Sequence, residues 1–207
     1  MIMITIIDYG MGNLKSVYKA FRKVGTEAVI TSDPKVIDDA SAIVLPGVGA
    51  FRDCMNNLNG LHVTDPILRS IEKGKPYLGI CLGLQILFSK SEEFGSNPGL
   101  GVIRGSVKRF PENGLKVPHM GWNAVKLLRT PPIFSDIEDG SFFYFVHSYY
   151  VSAEDESVIS GSTEYGIDFT SMIWKDNIFA TQFHPEKSQQ LGLKLLSAFS
   201  EFVKKEG

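Results

Sequence analysis

Cysteine and histidine are scarce in this 207-residue chain, which holds two of the first and four of the second. Two cysteines cannot build the disulfide framework of a small secreted domain, so a reducing, cytoplasmic setting is expected in which both remain thiols. No group of Cys and His has zinc-ligand spacing, and neither a metal nor any other cofactor is expected. Long hydrophobic runs are missing as well: no stretch reaches the ~18 apolar residues that a membrane span needs. Met1 leads straight into a predicted strand with neither a basic leader nor a cleavage site, so no signal peptide is expected. An excess of one charge is also lacking. The 21 basic and 23 acidic residues leave a net charge of −2, with no long block of either sign. That argues against nucleic acid or an anionic membrane as the main partner. There is no repeat and no low-complexity segment. What the chain does have is a 43% apolar composition, enough for a substantial core, and residues 1–207 read as a single domain.

The most informative stretch is Lys75-Pro-Tyr-Leu-Gly-Ile-Cys-Leu-Gly-Leu-Gln-Ile-Leu-Phe88. Tyr77 to Ile80 is an apolar run suited to a buried strand. From Leu82 onward, Leu84, Leu87 and Phe88 recur with helical spacing. Cys81 stands at the turn between them, flanked by Gly79 and Gly83. The pattern G-x-C-x-G is the cysteine form of a nucleophile elbow, whose glycines permit a sharp turn and close approach of neighbouring strands. Such a turn lifts the sulfur over the end of a sheet and onto the start of a helix. There the unpaired N–H groups and the dipole favour a thiolate, and the Leu82 N–H is free to bind an oxyanion. The plain alternative is a packing cysteine in an ordinary strand-to-helix turn.

Before the elbow, strands and helices alternate. Ile2 to Ile7 predicts a buried strand, and Asp8 to Asn13 a tight loop. Asn13 is placed to cap a helix carrying Leu14, Val17, Tyr18, Phe21 and Val24. Gly10-x-Gly12 invites a dinucleotide reading, but Lys15 occupies the place of the third glycine. Strands follow at Ala28–Thr31 and Ser41–Leu45, with a short helix at Pro34–Asp39. Pro46-Gly-Val-Gly-Ala-Phe51 can supply a second oxyanion donor from the backbone around Val48 and Gly49; it can equally be a plain turn. Cys54, beside Met55 and Leu58 on the next helix, reads as a packing cysteine. Thr64 to Lys73 is a further helix. This alternation predicts an α/β fold, a doubly wound and mainly parallel sheet with flanking helices.

After the elbow the pattern becomes strand-rich: Val102–Phe110, a turn at Pro111–Gly114, then Val125–Leu128, Phe142–Val146, Ser157–Thr163, Thr170–Trp174 and Ile178–Phe183. An antiparallel extension of the sheet is expected. Met120 and Trp122, in the proline-broken segment Lys116–Asn123, suit either core or an exposed contact. Ser188 to Val203 is an amphipathic closing helix.

A nucleophilic cysteine needs a base and a group to orient it. His62 has no nearby carboxylate, His119 lies in the proline-broken loop, and His147 is followed by Ser and Tyr. His184 alone comes with a carboxylate, Glu186, two residues on at a strand end, where residues i and i+2 face the same way. Both are expected to face outward there, and a surface His–Glu pair is the plain reading. Cys81, His184 and Glu186 form the best triad on local grounds, and the chemistry implied is acyl transfer through a thioester.

Gly79-Ile-Cys-Leu-Gly-Leu-Gln85 together with Phe183-His-Pro-Glu186 resembles the class I glutamine amidotransferase family. Ile7–Asn13, Pro46–Phe51, Pro118–Asn123, Tyr144–Tyr149 and His184–Ser188 resemble one branch of it, the glutaminase subunits of imidazole glycerol phosphate synthase in histidine biosynthesis. The likeness spans essentially the whole chain. It implies that Cys81 attacks the glutamine amide, that His184 moves the protons and that Glu186 holds His184. Leu82 and the peptide around Val48 and Gly49 would hold the oxyanion. Gln85 would bind substrate together with the backbone of Ser148 and Tyr149. It further implies docking, as a heterodimer, on a (βα)₈-barrel cyclase subunit, which uses the ammonia to make imidazole glycerol phosphate and AICAR. Asn13, Met120, Trp122, Tyr144 and Lys187 would lie near that docking face. Low activity without the partner is expected. The alternatives are a stand-alone cysteine hydrolase, a non-catalytic regulatory module, or a glutaminase of another class I branch.

Overall fold

The computed structural model describes residues 3–112 and 114–206. Ile2 of the expected first strand, and Asn113 of the expected turn, lie outside the described residues. In chain order the first half runs β1 (Ile4–Ile7), α1 (Leu14–Lys23), β2 (Ala28–Thr31), α2 (Pro34–Asp38), β3 (Ala42–Gly47), α3 (Phe51–Gly60), α4 (Thr64–Glu72), β4 (Tyr77–Cys81) and α5 (Leu82–Gln85). The second half runs β5 (Phe88–Ser91), β6 (Asn97–Pro98), β7 (Ile103–Arg109), β8 (His119–Leu127), β9 (Ser141–His147), β10 (Tyr149–Ala153), β11 (Ile159–Glu164), β12 (Asp168–Lys175), β13 (Ile178–Thr181) and α6 (Gln189–Glu206).

One mixed sheet organises the chain, in the order β2-β1-β3-β4-β13-β12-β10-β7-β5-β6. The first five strands of that order are parallel. Helices cover both faces, and the strand sequences follow from that. Ile4, Ile6, Val44, Leu78 and Ile80 pack under α1 and α6, while Ile7, Ile43, Leu45 and Tyr77 pack under α2, α3 and α4. Strands buried on both faces read as near-continuous apolar runs rather than alternating ones. Beyond β13 the pairing turns antiparallel through β12, β10 and β7. The hairpin of β8 and β9 branches off through β11.

The order of strands puts three strand ends side by side. Gly47 at the end of β3 pairs with Cys81 at the end of β4, and Ile80 pairs with Thr181 at the end of β13. Loops after the carboxyl ends of adjacent parallel strands are where open α/β sheets bind ligands.

Three local expectations need correction. The helical spacing from Leu82 to Phe88 predicts a longer helix, but α5 is a single turn ending at Gln85, and Phe88 opens β5. Leu100 N–H donates to the Ile86 carbonyl at 2.7 Å and Ile103 N–H to the Leu87 carbonyl at 3.0 Å, so incoming chain takes the acceptors that a longer helix needs. With Leu82 to Phe88 buried throughout, apolar spacing there carries no information about a face. Asn13 precedes α1 but makes no side-chain capping bond; its backbone carbonyl accepts from Ser16 N–H. His119 lies not in a loop but at the start of β8, opposite His147.

Candidate active site

Cys81 ends β4 with φ 55° and ψ −103°, a left-handed conformation that a side-chain-bearing residue adopts only when its surroundings force it. The forcing contacts are backbone to backbone. A Cβ at Gly83 would lie 1.8 Å from the Leu45 carbonyl oxygen, and one at Gly79 would lie 2.5 Å from the Gly83 carbonyl oxygen. The buried Tyr77 hydroxyl donates to that same Gly83 carbonyl at 2.9 Å, bracing the turn. α5 is too short for an appreciable dipole, so the elbow offers the local N–H groups of its one turn.

His184 follows β13, and its backbone N–H donates to the Tyr144 carbonyl at 2.9 Å. The chain then tightens into a 3₁₀ turn over Pro185–Lys187 rather than continuing extended. The two side chains are therefore buried, each 2% exposed, instead of facing outward, and His184 Nδ1 meets Glu186 Oε1 at 2.8 Å. With Nδ1–H donating to the carboxylate, Nε2 is the ring's free nitrogen. It is buried without a hydrogen-bond partner. Burial pushes the His184 pKa down, but attraction to the adjacent Cys81 sulfur, and then to Glu186, outweighs it and raises the value to about 10. α6 presses on this turn from behind, because a Cβ at Gly192 would lie 1.8 Å from the Pro185 carbonyl oxygen.

The Cys81 sulfur accepts from Gln182 Nε2 at 3.4 Å and lies 3.9 Å from the Val146 carbonyl. It opens onto a cavity of about 380 Å³ lined by Val48, Gly49, Leu82, Gln85, Ser148 and Tyr149 among others. All the expected oxyanion and substrate residues thus meet around the cysteine. Gly49 has φ +97°, and a Cβ there would lie 2.5 Å from Met11 Cε. Gln85 spends both amide protons, on the Tyr149 carbonyl at 3.0 Å and on Gln182 Oε1 at 3.1 Å, which leaves its own carbonyl as the acceptor.

Two residues at the cavity and the sulfur escape the sequence reading. Glu93 lines the cavity and accepts from Phe51 N–H at 2.6 Å, tying the end of the Val48–Gly49 loop. Gln182 is buried beside the sulfur; a lone amide inside the apolar run leading to His184 was the available signal. Cys54 is a core residue, with burial pushing its thiol up to about 12, as suits a packing cysteine.

The cavity's mouth adjoins the outer face of β8 and β9. Met120 is 60% and Trp122 45% exposed. Trp122 meets Tyr144 edge-on at 6.2 Å, and Lys187, which also lines the cavity, places Nζ 5.7 Å from the Tyr144 ring. Asn13 is exposed in the loop before α1. Among the described residues no group of His, Cys, Asp and Glu is arranged to hold a metal ion, and no helix is long and apolar enough to cross a membrane.

Comparison with known proteins shows the family and the fold. Residues 5–201 match the family model of class-I glutamine amidotransferases. The chain is 59% identical over 207 residues to the imidazole glycerol phosphate synthase subunit HisH of Geobacter sulfurreducens, covering 97% of this chain and 99% of that protein. It is 53% identical to the HisH subunit of Aquifex aeolicus, covering 97% of each chain. In fold it is similar to a crystal structure of a glutamine amidotransferase (TM-score 0.75, 17% identity, 97% of this chain and 98% of that one). The structure of PurLQS from Thermotoga maritima is similarly close (TM-score 0.75, 18% identity, 98% and 99%). The chain belongs to the class-I glutamine amidotransferase family and, within it, groups with the HisH subunits of imidazole glycerol phosphate synthase.

Proposed function

We propose that this protein is the glutaminase subunit of imidazole glycerol phosphate synthase, a single amidotransferase domain that hydrolyses glutamine and passes the ammonia to a (βα)₈-barrel cyclase subunit. The observation that carries this reading is a buried His184–Glu186 pair whose imidazole feels the charge of the nearby Cys81, while the left-handed Cys81 opens onto a cavity of about 380 Å³.

In this mechanism the Cys81 sulfur attacks the side-chain amide carbon of glutamine. His184 Nε2 carries the thiol proton and gives it to the departing nitrogen, so that ammonia leaves and a thioester remains. Glu186 keeps the proton of His184 on Nδ1 and supports the imidazolium. Water, deprotonated by His184, then cleaves the thioester to glutamate. The oxyanion of each tetrahedral intermediate is held by the Leu82 N–H and by the peptide between Val48 and Gly49. Glu93 gives the cavity a negative group suited to an α-ammonium, and Gln85 with the Ser148–Tyr149 backbone holds the rest of the amino acid.

The docking face comprises Asn13, Met120, Trp122, Tyr144 and Lys187, with the exposed Met–Trp pair at its centre. A large apolar pair left in solvent beside the mouth of an active site suits a partner that seals it. The loop at Gly49 is the natural gate: with glycine at a positive φ, the Val48–Gly49 peptide can turn its N–H into or away from the oxyanion. One missing donor lowers the rate ~10²–10³-fold, which would keep the free subunit from wasting glutamine.

The deciding experiment compares Cys81→Ala with wild type in the complex with cyclase. The variant is expected to lose glutamine-dependent synthesis and keep ammonia-dependent synthesis. Loss of neither, or of both alike, would overturn the reading.

A further inference from the structure

Three of the four histidines take no part in the proposed chemistry, and two of them, His119 and His147, are buried within a few residues of the site. His147 lines the cavity, which makes it look like a rival base. Its hydrogen bonds exclude that role. Nδ1 lies 2.8 Å from the Tyr149 carbonyl oxygen, and only an N–H can face an acceptor there. Nε2 therefore carries no proton, and it accepts from His119 Nδ1 at 2.9 Å. His119 Nε2 is in turn unprotonated and accepts from Asn123 Nδ2 at 3.2 Å. Every ring nitrogen is spent, and each bond fixes the tautomer of the next ring. Burial holds both imidazoles neutral, pushing His119 down to about 4 and His147 to about 3.

The relay runs one way. It starts at Asn123 in β8, next to Trp122 on the outer face, and ends on the Tyr149 carbonyl in the cavity wall. That carbonyl also accepts from Gln85 Nε2 at 3.0 Å, so it is gripped from both sides. The rings have no rotational slack. His119 stacks between Phe145 and Tyr165 at centroid distances of 4.9 and 4.1 Å, and His147 packs on Phe110 at 5.2 Å.

We propose that His147, backed by His119, is a positioning residue: it orients the Tyr149 peptide, and with it the Ser148–Tyr149 backbone, against bound glutamine. The inference rests on the glutaminase reading above. It differs from that reading in giving substrate affinity, rather than the chemical step, to two histidines that touch no reacting atom. Removing His147 leaves the Tyr149 carbonyl with one partner and the His119 N–H with none. A carbonyl released on one side can drift from the position that glutamine meets, and the loss of one such positioning hydrogen bond weakens binding by roughly tenfold.

The test uses the full chain in complex with cyclase, with active sites counted by titrating Cys81 with a glutamine-mimicking diazoketone. His147→Leu should raise KM for glutamine about tenfold or more while kcat per titrated site stays within about threefold. Ammonia-dependent synthesis should be unchanged. His147→Asn, whose amide nitrogen can stand in for Nδ1, should restore most of the affinity. His119→Leu should raise KM by a smaller factor, since it acts through His147; it also decides the matter should His147→Leu fail to fold. Unchanged KM in both leucine variants, with only the titratable fraction reduced, would make the pair structural and overturn the inference. A wild-type complex that does not hydrolyse glutamine would instead overturn the glutaminase reading itself.

Discussion

Gly83 and Leu45 touch through their backbones: a side chain at position 83 would begin 1.8 Å from the Leu45 carbonyl oxygen. This contact clamps the turn that carries Cys81 onto the neighbouring strand. Overpacking costs about 1–3 kcal/mol in a yielding core, and backbone against backbone yields least. Gly83→Ala is expected to reach the top of that range or exceed it, and to lower glutamine hydrolysis with it. Denaturant midpoints check the first effect and steady-state rates the second.

Gly192→Ala should act from behind the turn that carries His184. Its new methyl would meet the Pro185 carbonyl and push α6 off the turn that holds His184 and Glu186. The expected outcome is a loss of activity at least as large as the loss of stability, measured as kcat in conditions where thermal unfolding shows the variant fully folded.

Much of this was legible in the sequence because the relevant signals are local. The two glycines around Cys81, the apolar strands and the carboxylate two residues beyond His184 each follow from backbone geometry within a few residues. The expected α/β architecture, with a mainly parallel sheet and an antiparallel extension, matches the strand order observed. What escaped depends on distant chain. α5 stops at Gln85 because residues 100 and 103 take the next carbonyls, and no pattern within residues 82–88 carries that information. The 3₁₀ turn that buries Glu186 is packed by Gly192, so an extended reading of residues 184–186 placed the pair outside. His119 and His147 lie 28 positions apart and meet only because β8 and β9 pair. Glu93 joins the cavity through a bond to Phe51, 42 positions away.

Glu186→Gln should reveal how His184 is charged. The folded pKa of His184 is raised above its unfolded value of ~6.5. Its contribution to stability is therefore fully present below pH 6.5 and is lost as pH rises through about 10. Removing the Glu186 charge should shrink that alkaline loss and move it to lower pH. The rate should fall ~10²–10⁴-fold, as when an orienting carboxylate is lost from a triad. Histidine resonances followed by NMR, with unfolding curves across pH, give both numbers.

Acid should act on the other two histidines. Both are held neutral in the fold, with values of about 4 and 3, while the unfolded chain protonates them near pH ~6.5. Stability is thus expected to fall as pH drops from about 6.5 toward 4, by up to ~1.4 kcal/mol per pH unit for each histidine. His119→Leu should flatten that slope, which urea titrations between pH 4 and 7 would show.

The outer face can be tested apart from the chemistry. Trp122→Ala removes an exposed ring, so thermal stability should change little. Affinity for the cyclase should fall by roughly 30-fold or more if Trp122 is an anchor of the interface. Calorimetric titration of the variant into cyclase measures this.

The most direct measurement is covalent. The complex is treated with a glutamine-mimicking diazoketone, and the adduct is located by mass spectrometry while glutamine hydrolysis is followed. One adduct per chain on Cys81, none on Cys54, with activity lost in step, is the predicted result. Labelling elsewhere, or hydrolysis that persists after Cys81 is fully modified, would contradict the account.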